Sequence, residues 1–273
     1  MKPKNTLLVW LLIACTAMNA QSLIITYKEE TSVRDAVRNV DLSNVPAEFR
    51  ATVQAQLATQ SRQPMVHTMR LLYRNGESLY EPVETQNQST TPPPTGGGNV
   101  MVMGSMGNRG TPTIVYKNHT TRELIEQETI VDRTFLIVSS FVDWSWELQD
   151  EEQIINGYKA RKATRTTKTV NANNTGDTIN SVITAWYSLD IPISDGPGMF
   201  YGLPGLIVKL EIGPRTITID KIEEMPARQR LRKPSRGRKV TREEFNEIRR
   251  RRLEEMGVNM GAPGQTQVRV IQM

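Results

Sequence analysis

The stretch VHTMRLLYRNGESLYEPV, residues 66–83, decides the fold class. It holds two extended runs, 66–73 and 77–83, on either side of the pair Asn75-Gly76. An Asn-Gly pair between two such runs is the strongest short-range signal for a β-hairpin, because the tight turn needs a positive φ at both residues. The sequence therefore predicts two antiparallel strands here.

The same extended pattern recurs on both sides of this hairpin. We expect residues 144–148 and 154–160 to form strands joined by the acidic turn Asp150-Glu151-Glu152, and residues 206–212 and 216–222 to pair about Gly213-Pro214. Further strand-like runs lie at residues 23–27, 114–116, 124–130, 135–138, 164–169 and 179–189. Many short strands separated by turn signals favour an antiparallel sheet that is curved or folded as a half-barrel.

Helical periodicity is confined to two places. Phe49, Val53 and Leu57 recur at i, i+4 and i+8, which predicts an amphipathic helix over residues 44–61. Thr241 and Glu244 have the spacing of a capping box, which predicts the start of a second helix. The fold class is therefore mainly β (α+β): a curved sheet or half-barrel with one packed helix and a C-terminal basic helix.

The first twenty residues have the order of a secretory signal peptide. Lys2 and Lys4 precede an apolar run over residues 7–14, and small residues continue to Ala20, so the mature chain would begin at Gln21. Leu12-Ile13-Ala14-Cys15 also fits a bacterial lipobox, in which Cys15 becomes the lipidated first residue, and both alternatives stay open. The run is shorter than the roughly 20 residues of a transmembrane helix. We expect an exported protein without such a helix.

Composition limits the chemistry of the chain. Its 273 residues include 34 Lys plus Arg, 29 Asp plus Glu, one Cys and two His. One cysteine permits no intrachain disulfide and no four-thiolate zinc site. Neither His67 nor His119 belongs to a catalytic or ligand motif, so we expect ordinary surface or half-buried histidines. The sequence predicts no metal and no cofactor.

Two segments differ in composition from the β-rich domain assigned to residues 21–225. Residues 85–112 are rich in Pro, Gly and Met, which is typical of a flexible surface insertion. Residues 226–273 form a basic helical tail, in which residues 226–255 carry twelve Lys or Arg against five Asp or Glu. Export argues against nucleic acid as its partner, so we expect an anionic envelope surface. Its candidate residues are Arg228, Arg230, Arg232, Lys233, Arg236, Arg238 and Lys239.

The hexapeptide Gly202-Leu203-Pro204-Gly205-Leu206-Ile207 resembles the signature of the GLPGLI family of secreted proteins of Gram-negative bacteria. Residues 185–187, 191–192, 196–197 and 200 also stand at the family's usual places, residues 156–163 look like its internal strand motif, and residues 78–81 fit its early hairpin. The family's cysteine after the Gly-Tyr pair is absent. The resemblance implies an extracytoplasmic β-rich protein without an established activity. Because the family's genes are often reported beside outer-membrane transporter genes, it also suggests such a transporter as partner.

The signature has a structural interpretation of its own. Pro204 and Gly205 fit a type II turn in which Gly205 supplies the positive φ, and both glycines of the signature permit close backbone approach. The bend could then pack under Trp186 or line a groove. The candidates for a binding site are Trp186, Tyr187, Asp195, Gly202, Leu203, Pro204 and Gly205.

Two hypotheses for function follow. The first is a non-enzymatic binding or accessory protein of the periplasm or of the periplasmic face of the outer membrane. The alternative is an envelope hydrolase that uses Asp190 and Asp195 as paired carboxylates. Asp195 precedes Gly-Pro, which is also typical of an ordinary turn. The sequence contains no Gly-x-Ser-x-Gly nucleophile elbow, which argues against nucleophilic hydrolysis. The first hypothesis is non-enzymatic and assigns no catalytic residue.

Overall fold

One sheet of twelve strands dominates the computed structural model, which describes residues 22–32, 40–41, 50–52, 54–55, 65–83, 100–101, 113–130, 132–170, 178–255, 266–267 and 269–270. The strand order is β14-β8-β7-β6-β4-β3-β1-β13-β12-β11-β10-β9, and all neighbours are antiparallel except β14 and β8. The strands are β1 (Ser22–Thr31), β2 (Val40–Asp41), β3 (Met65–Arg74), β4 (Glu77–Pro82), β5 (Val100–Met101), β6 (Ile114–Asn118), β7 (Glu123–Ile130), β8 (Arg133–Ser140), β9 (Glu147–Ile155), β10 (Tyr158–Val170), β11 (Thr178–Ser188), β12 (Leu206–Ile212), β13 (Arg215–Glu224), β14 (Arg238–Val240), β15 (Thr266–Gln267) and β16 (Arg269–Val270). The short β2 and β5 pair with β15 and β16.

The connection between β8 and β9 requires the sheet to curve. These strands are second and last in the sheet order, so in a flat sheet ten spacings of about 4.8 Å would place them about 48 Å apart. Residues 141–146, the β8–β9 linker, can span at most about 25 Å when fully extended. The predicted mainly β fold with a curved, open sheet is therefore confirmed.

Two Asn-Gly pairs make two of the hairpins. Asn75 and Gly76 have φ values of 53° and 78°, so the predicted turn between β3 and β4 is confirmed. Asn156 and Gly157, at 45° and 88°, join β9 to β10. The acidic turn predicted at residues 150–152 is wrong, because these residues continue β9.

The acidic residues remain in β9 because their charges face solvent and find partners on β10. Glu152 forms ion pairs with Lys159 and Arg161, and Glu151 pairs with Lys162. Opposite charges across neighbouring strands stabilise a pair of strands modestly. A run of three carboxylates is therefore compatible with an edge strand whose neighbour is basic.

The sheet packs its two faces against different parts of the chain. The larger core lies on the face that carries Tyr27, Leu71 and Val208, and it is completed by the bend over residues 189–205. The Tyr27 hydroxyl donates a buried hydrogen bond of 2.8 Å to the carbonyl of Ile207, which ties the centre of the sheet to the end of that bend. A smaller core, which includes Leu72, lies on the other side of β3.

The basic C-terminal segment joins the sheet through β14 and the helix α1 (Arg242–Glu255). The predicted capping box is confirmed, since Glu244 accepts from the Thr241 amide and donates its own amide to the Thr241 hydroxyl. Phe245 is fully buried against Phe135 of β8, at 5.7 Å between ring centroids. The strand β14 has no signal in the sequence, because three residues are too few for a periodic pattern.

Several predictions concern residues outside the described ranges. The signal peptide and Cys15 lie there, as do all but two residues of the predicted insertion over 85–112. Of the helix predicted over 44–61, residues 50–52 and 54–55 are described, and they are helical. No helix within the described residues is long and apolar enough to cross a membrane.

Candidate functional site

A buried ion pair lies where the bend over residues 189–205 meets β6. The side chains of Lys117, on β6, and Asp195, in the bend, are both fully buried. The Lys117 ammonium pairs with one Asp195 oxygen and donates hydrogen bonds to the carbonyls of Gly196 at 2.7 Å and Phe200 at 3.3 Å. The three donors of the ammonium thus have three acceptors, as a buried charge requires.

The second oxygen of Asp195 contacts His119, whose side chain is 22% exposed. The imidazole Nε2 lies 3.0 Å from that oxygen. The Gly196 amide donates a hydrogen bond of 2.6 Å to the other Asp195 oxygen, which also pairs with Lys117. Burial by itself would raise the pKa of the Asp195 carboxyl, but Lys117 and His119 outweigh burial and lower the pKa to about 2. Asp195 is therefore a carboxylate at neutral pH, with both oxygens already engaged.

The bend that carries Asp195 is held to the sheet by its backbone. The Leu206 amide donates to the Ile191 carbonyl, and the Ile207 amide donates to the Asp195 carbonyl, both at 3.0 Å. Asp195 also forms an isolated antiparallel bridge with Tyr201. These bonds place the Asp195 side chain over β6 without a regular strand.

The positive φ and the close backbone approach predicted for the signature lie at two different glycines. Gly202 carries the positive φ, at 94°, and a Cβ there would meet open space. Gly205 has no positive φ, and a Cβ there would lie 2.0 Å from the Ser188 carbonyl oxygen. The predicted type II turn with Gly205 at positive φ is wrong, whereas the close backbone approach is confirmed for Gly205.

The other residues proposed as a binding site separate into core and surface. Trp186 and Tyr187 of β11 are buried, as is Leu203, whereas Pro204 and Gly202 are exposed. The Trp186 indole nitrogen is buried without a hydrogen-bond partner in the described part of the protein. Of the seven candidates, only Gly202 and Pro204 are therefore accessible at the surface.

Five aromatic residues form a surface above the buried ion pair, which we call the aromatic ledge. Phe141 stacks on Tyr201 at 4.0 Å between centroids, and Trp144 lies 4.5 Å from Phe200 and 6.0 Å from the parallel ring of Trp146. The three partly exposed members come from the β8–β9 linker, and the two buried members come from the bend. The Trp146 indole donates a hydrogen bond of 3.0 Å to the Tyr201 carbonyl. The Tyr201 hydroxyl accepts a hydrogen bond from the Val142 amide and donates one to the Val142 carbonyl.

Apolar exposure continues from the ledge along β9. Val142, Leu148 and Ile154 are 57%, 58% and 74% exposed. Within the described residues β9 pairs only with β10, so it is one edge of the large sheet. Strand edges are places where a second chain can add by backbone hydrogen bonds.

The paired carboxylates proposed for a hydrolase differ in their surroundings. Asp190 is exposed, and Asp195 is fully buried in its ion pair. No group of three or more His, Cys, Asp or Glu side chains that could hold a metal ion occurs within the described ranges. The arrangement orients an imidazole above a buried carboxylate, but it does not place two accessible carboxyl groups on one substrate.

Sequence reasoning missed Lys117 and underrated His119. Lys117 stands two residues after Val115 in a short β-strand, at a position where alternation predicts a core side chain. A lysine at a core position is a signal for a buried ion pair, because an unpaired ammonium there would be too costly. His119 is two positions further along and so points to the same face as Lys117. This spacing indicates that both side chains could contact one acidic residue.

The seven basic candidates of the tail are all exposed, on the segment that leads from β13 to β14 and on β14 itself. One of them, Lys233, forms an ion pair with Glu123 of β7 at 2.5 Å. Arg74 donates to the carbonyls of Gln229 and Pro226, which holds the start of this segment on the sheet. The basic residues therefore lie on a segment fixed to the fold.

The depressed pKa of Asp195 predicts a loss of stability in acid. A carboxyl whose pKa is about 2 in the folded protein and 3.8 without these contacts stabilises the fold above pH 4, and this contribution disappears as the pH falls from about 4 to about 2. We expect a loss of about 2 kcal/mol from this group. Urea unfolding across this pH range measures it, and Lys117→Met/Asp195→Asn is the control, since it should lack that component. Equal slopes in both proteins would contradict the prediction.

Comparison with known proteins supplies a fold relationship and one family match. No curated protein matches the chain. Two solved structures of PNGF-II, in a P21 and a C2 space group, match with a TM-score of 0.51 at 13% and 12% identity. The match covers 85% of this chain and 34% and 33% of those chains, so the chain spans about a third of their length. At this identity the likeness is one of fold alone. The family model described as "Protein of unknown function (Porph_ging)" matches residues 146–209, from the end of the β8–β9 linker into β12.

Proposed function

We propose that the protein is an exported, non-enzymatic binding protein of the cell envelope, and that its partner docks on the aromatic ledge and the edge of β9. The observation that carries this proposal is the group of partly exposed aromatic side chains in the β8–β9 linker, together with the exposed Leu148 and Ile154 of β9, the last strand of an open sheet. Aromatic side chains are enriched where proteins meet partners. The matched family region includes this strand.

The chemistry of the edge favours a partner that contributes an extended segment. Such a segment can hydrogen-bond the free backbone edge of β9 and place alternate side chains against Leu148 and Ile154. Glu147 and Asp150 are exposed on the same strand. A segment with basic residues would therefore complement β9 in charge.

The buried ion pair argues against the hydrolase alternative. A general acid or base must reach its substrate within hydrogen-bond distance, and Asp195 has no exposed surface. Its oxygens are occupied by Lys117, His119 and the Gly196 amide. We infer that Asp195 fixes the bend beneath the ledge instead of reacting.

The envelope location and the partner rest on the sequence. The signal-peptide pattern supports export, and the resemblance to the GLPGLI family supports an outer-membrane transporter as the partner. The exposed basic residues of the tail would orient the molecule at an anionic surface, because each positive charge near such a surface contributes about 1 kcal/mol of attraction. Because the ledge and the tail are attached to the same sheet, the protein would act as an accessory held at the membrane.

Affinity purification from detergent-solubilised envelopes tests this proposal. The tagged protein is recovered and identified by mass spectrometry together with its own N-terminus, which distinguishes Gln21 from a lipidated Cys15. The binding variant is Leu148→Lys/Ile154→Lys, because lysine on an edge strand opposes strand addition. The control is Val66→Lys/Val182→Lys, which makes the same change on two interior strands whose side chains are 51% exposed.

We expect a stoichiometric membrane-protein partner with the unmodified protein and with the control, and recovery at least tenfold lower with the binding variant. Equal recovery with both variants would place the partner elsewhere on the molecule. A clean monomer without partner or lipid would contradict the proposal.

A further inference from the structure

A cavity of about 200 Å³ lies between β8, β14 and the C-terminal half of α1. Arg133 comes from the start of β8, Arg238 from β14, and Arg251 and Arg252 from the helix. Phe135 supplies an apolar wall, and Glu255 is the acidic residue of the lining. This site is separate from the aromatic ledge in the residues that form it.

The cavity has an excess of positive charge. Glu255 is paired with Arg252 at 2.9 Å, and Arg251 is paired with Glu247 on its own helix at 3.0 Å. Arg133 and Arg238 form no ion pair with any residue that the structure describes. Guanidinium groups remain charged at any physiological pH, so this excess cannot be relieved by loss of a proton.

Helix electrostatics accounts for only half of this set. Cations in the last turn of a helix are stabilised by the partial negative charge there, which explains Arg252 without a ligand. Arg251 has its ion-pair partner Glu247 on the same helix. Arg133 and Arg238 lie on strands and receive no such stabilisation. Arg133 precedes Phe135 by two residues and so shares its face of β8, and Arg238 is the register partner of Phe135.

We propose that this cavity binds a phosphate monoester group. Arginine forks match phosphate oxygens by paired hydrogen bonds, and two unpaired guanidinium groups can neutralise a doubly charged anion. Pockets for whole drug-sized ligands measure about 300 to 1,000 Å³, so this cavity fits a phosphate head with its first carbon atoms against Phe135. The group can belong to a lipid headgroup or to a small soluble molecule.

The inference deepens the anionic-surface part of the proposed function and rests on it for the lipid source alone. It replaces diffuse attraction to a negative surface with one defined site, three of whose four arginines lie outside the set predicted from sequence. A phosphate held here would also join α1 to β8 and β14. Binding therefore should stabilise the attachment of the helix as well.

Calorimetric titration with inorganic phosphate and flotation with lipid vesicles test the site. Vesicles of phosphatidylcholine carry either phosphatidic acid, which has a phosphate monoester head, or phosphatidylglycerol, which is anionic without one, at matched surface charge. The site variant is Arg133→Gln/Arg238→Gln. The control is Arg228→Gln/Arg230→Gln, which also removes two positive charges, but from the exposed segment before β14.

We expect the site variant to weaken inorganic-phosphate binding by at least tenfold, about 1.4 kcal/mol, while the control stays within about twofold. On vesicles each variant loses two charges of diffuse attraction, so the readout there is the preference for phosphatidic acid over phosphatidylglycerol, which the control keeps and the site variant loses. Binding of inorganic phosphate identifies a small soluble source, and binding of phosphatidic-acid vesicles alone identifies a lipid headgroup. Equal losses in both variants, or equal binding to both anionic vesicles, would show diffuse attraction and overturn the proposal. No binding of either probe would overturn it too.

These outcomes are independent of the partner experiment. The site variant leaves Leu148 and Ile154 intact, so partner recovery from envelopes should be unchanged. The β9 variant should bind phosphate like the unmodified protein. Failure of one proposal therefore leaves the other to be judged on its own readout.

Discussion

Replacing Lys117 with Met is expected to lower the free energy of unfolding by about 3 to 5 kcal/mol. The change leaves the Asp195 carboxylate fully buried without its ammonium partner, and the carbonyls of Gly196 and Phe200 lose a donor. The loss is large because the remaining charge has no access to water. Urea unfolding followed by tryptophan fluorescence measures the difference.

Two controls separate the buried pair from a general effect of losing a lysine. Lys28→Met breaks an ion pair with Asp220 whose members are 53% and 33% exposed, and it should cost less than about 1 kcal/mol. Lys117→Met/Asp195→Asn removes both charges and should recover part of the loss. A Lys117→Met protein as stable as Lys28→Met would show that the pair contributes little.

Gly205→Ala is expected to destabilise the protein by about 3 kcal/mol or more. The added Cβ would lie 2.0 Å from the Ser188 carbonyl oxygen and 2.6 Å from its carbon, and both atoms are backbone. No side-chain rotation can relieve this overlap, so β12 must separate from the end of β11. Thermal unfolding together with urea unfolding measures the change.

Gly202→Ala is the matched control within the same signature. Its Cβ meets open space, so only the positive φ of 94° opposes alanine, at about 1 to 2 kcal/mol. The order of the two variants is the sharper test. A Gly202→Ala protein less stable than Gly205→Ala would contradict the close approach at Ser188.

The strands of the sheet could be predicted where turn chemistry is local. Asn75-Gly76 marks a hairpin because both residues tolerate the required positive φ, and Asn156-Gly157 carries the same signal. The acidic run at residues 150–152 resembles a turn in composition, yet it forms an edge strand because β10 supplies its counter-charges. Composition describes solvent exposure, and exposure alone does not distinguish a turn from an edge.

The candidate site depends on contacts that the sequence does not display. Asp195 and Lys117 are 78 positions apart, and the bend brings them together through backbone bonds between irregular residues. The signature predicted a tight approach and a positive φ, but it could not assign them to the correct glycine. That assignment depends on where Ser188 of the neighbouring strand lies.

The position of β1 in the sheet has a consequence for how the chain acquires its structure. This early strand lies between β3 and β13, and its Tyr27 bonds Ile207, which is 180 residues further along. A ribosome that adds about 5 to 20 residues per second needs about 10 to 40 s to make that interval. Throughout this time the backbone edge of β1 that pairs with β13 has no native neighbour. Such high contact order implies slow folding, and a chaperone that shields β1 until the last third of the chain arrives should raise the yield.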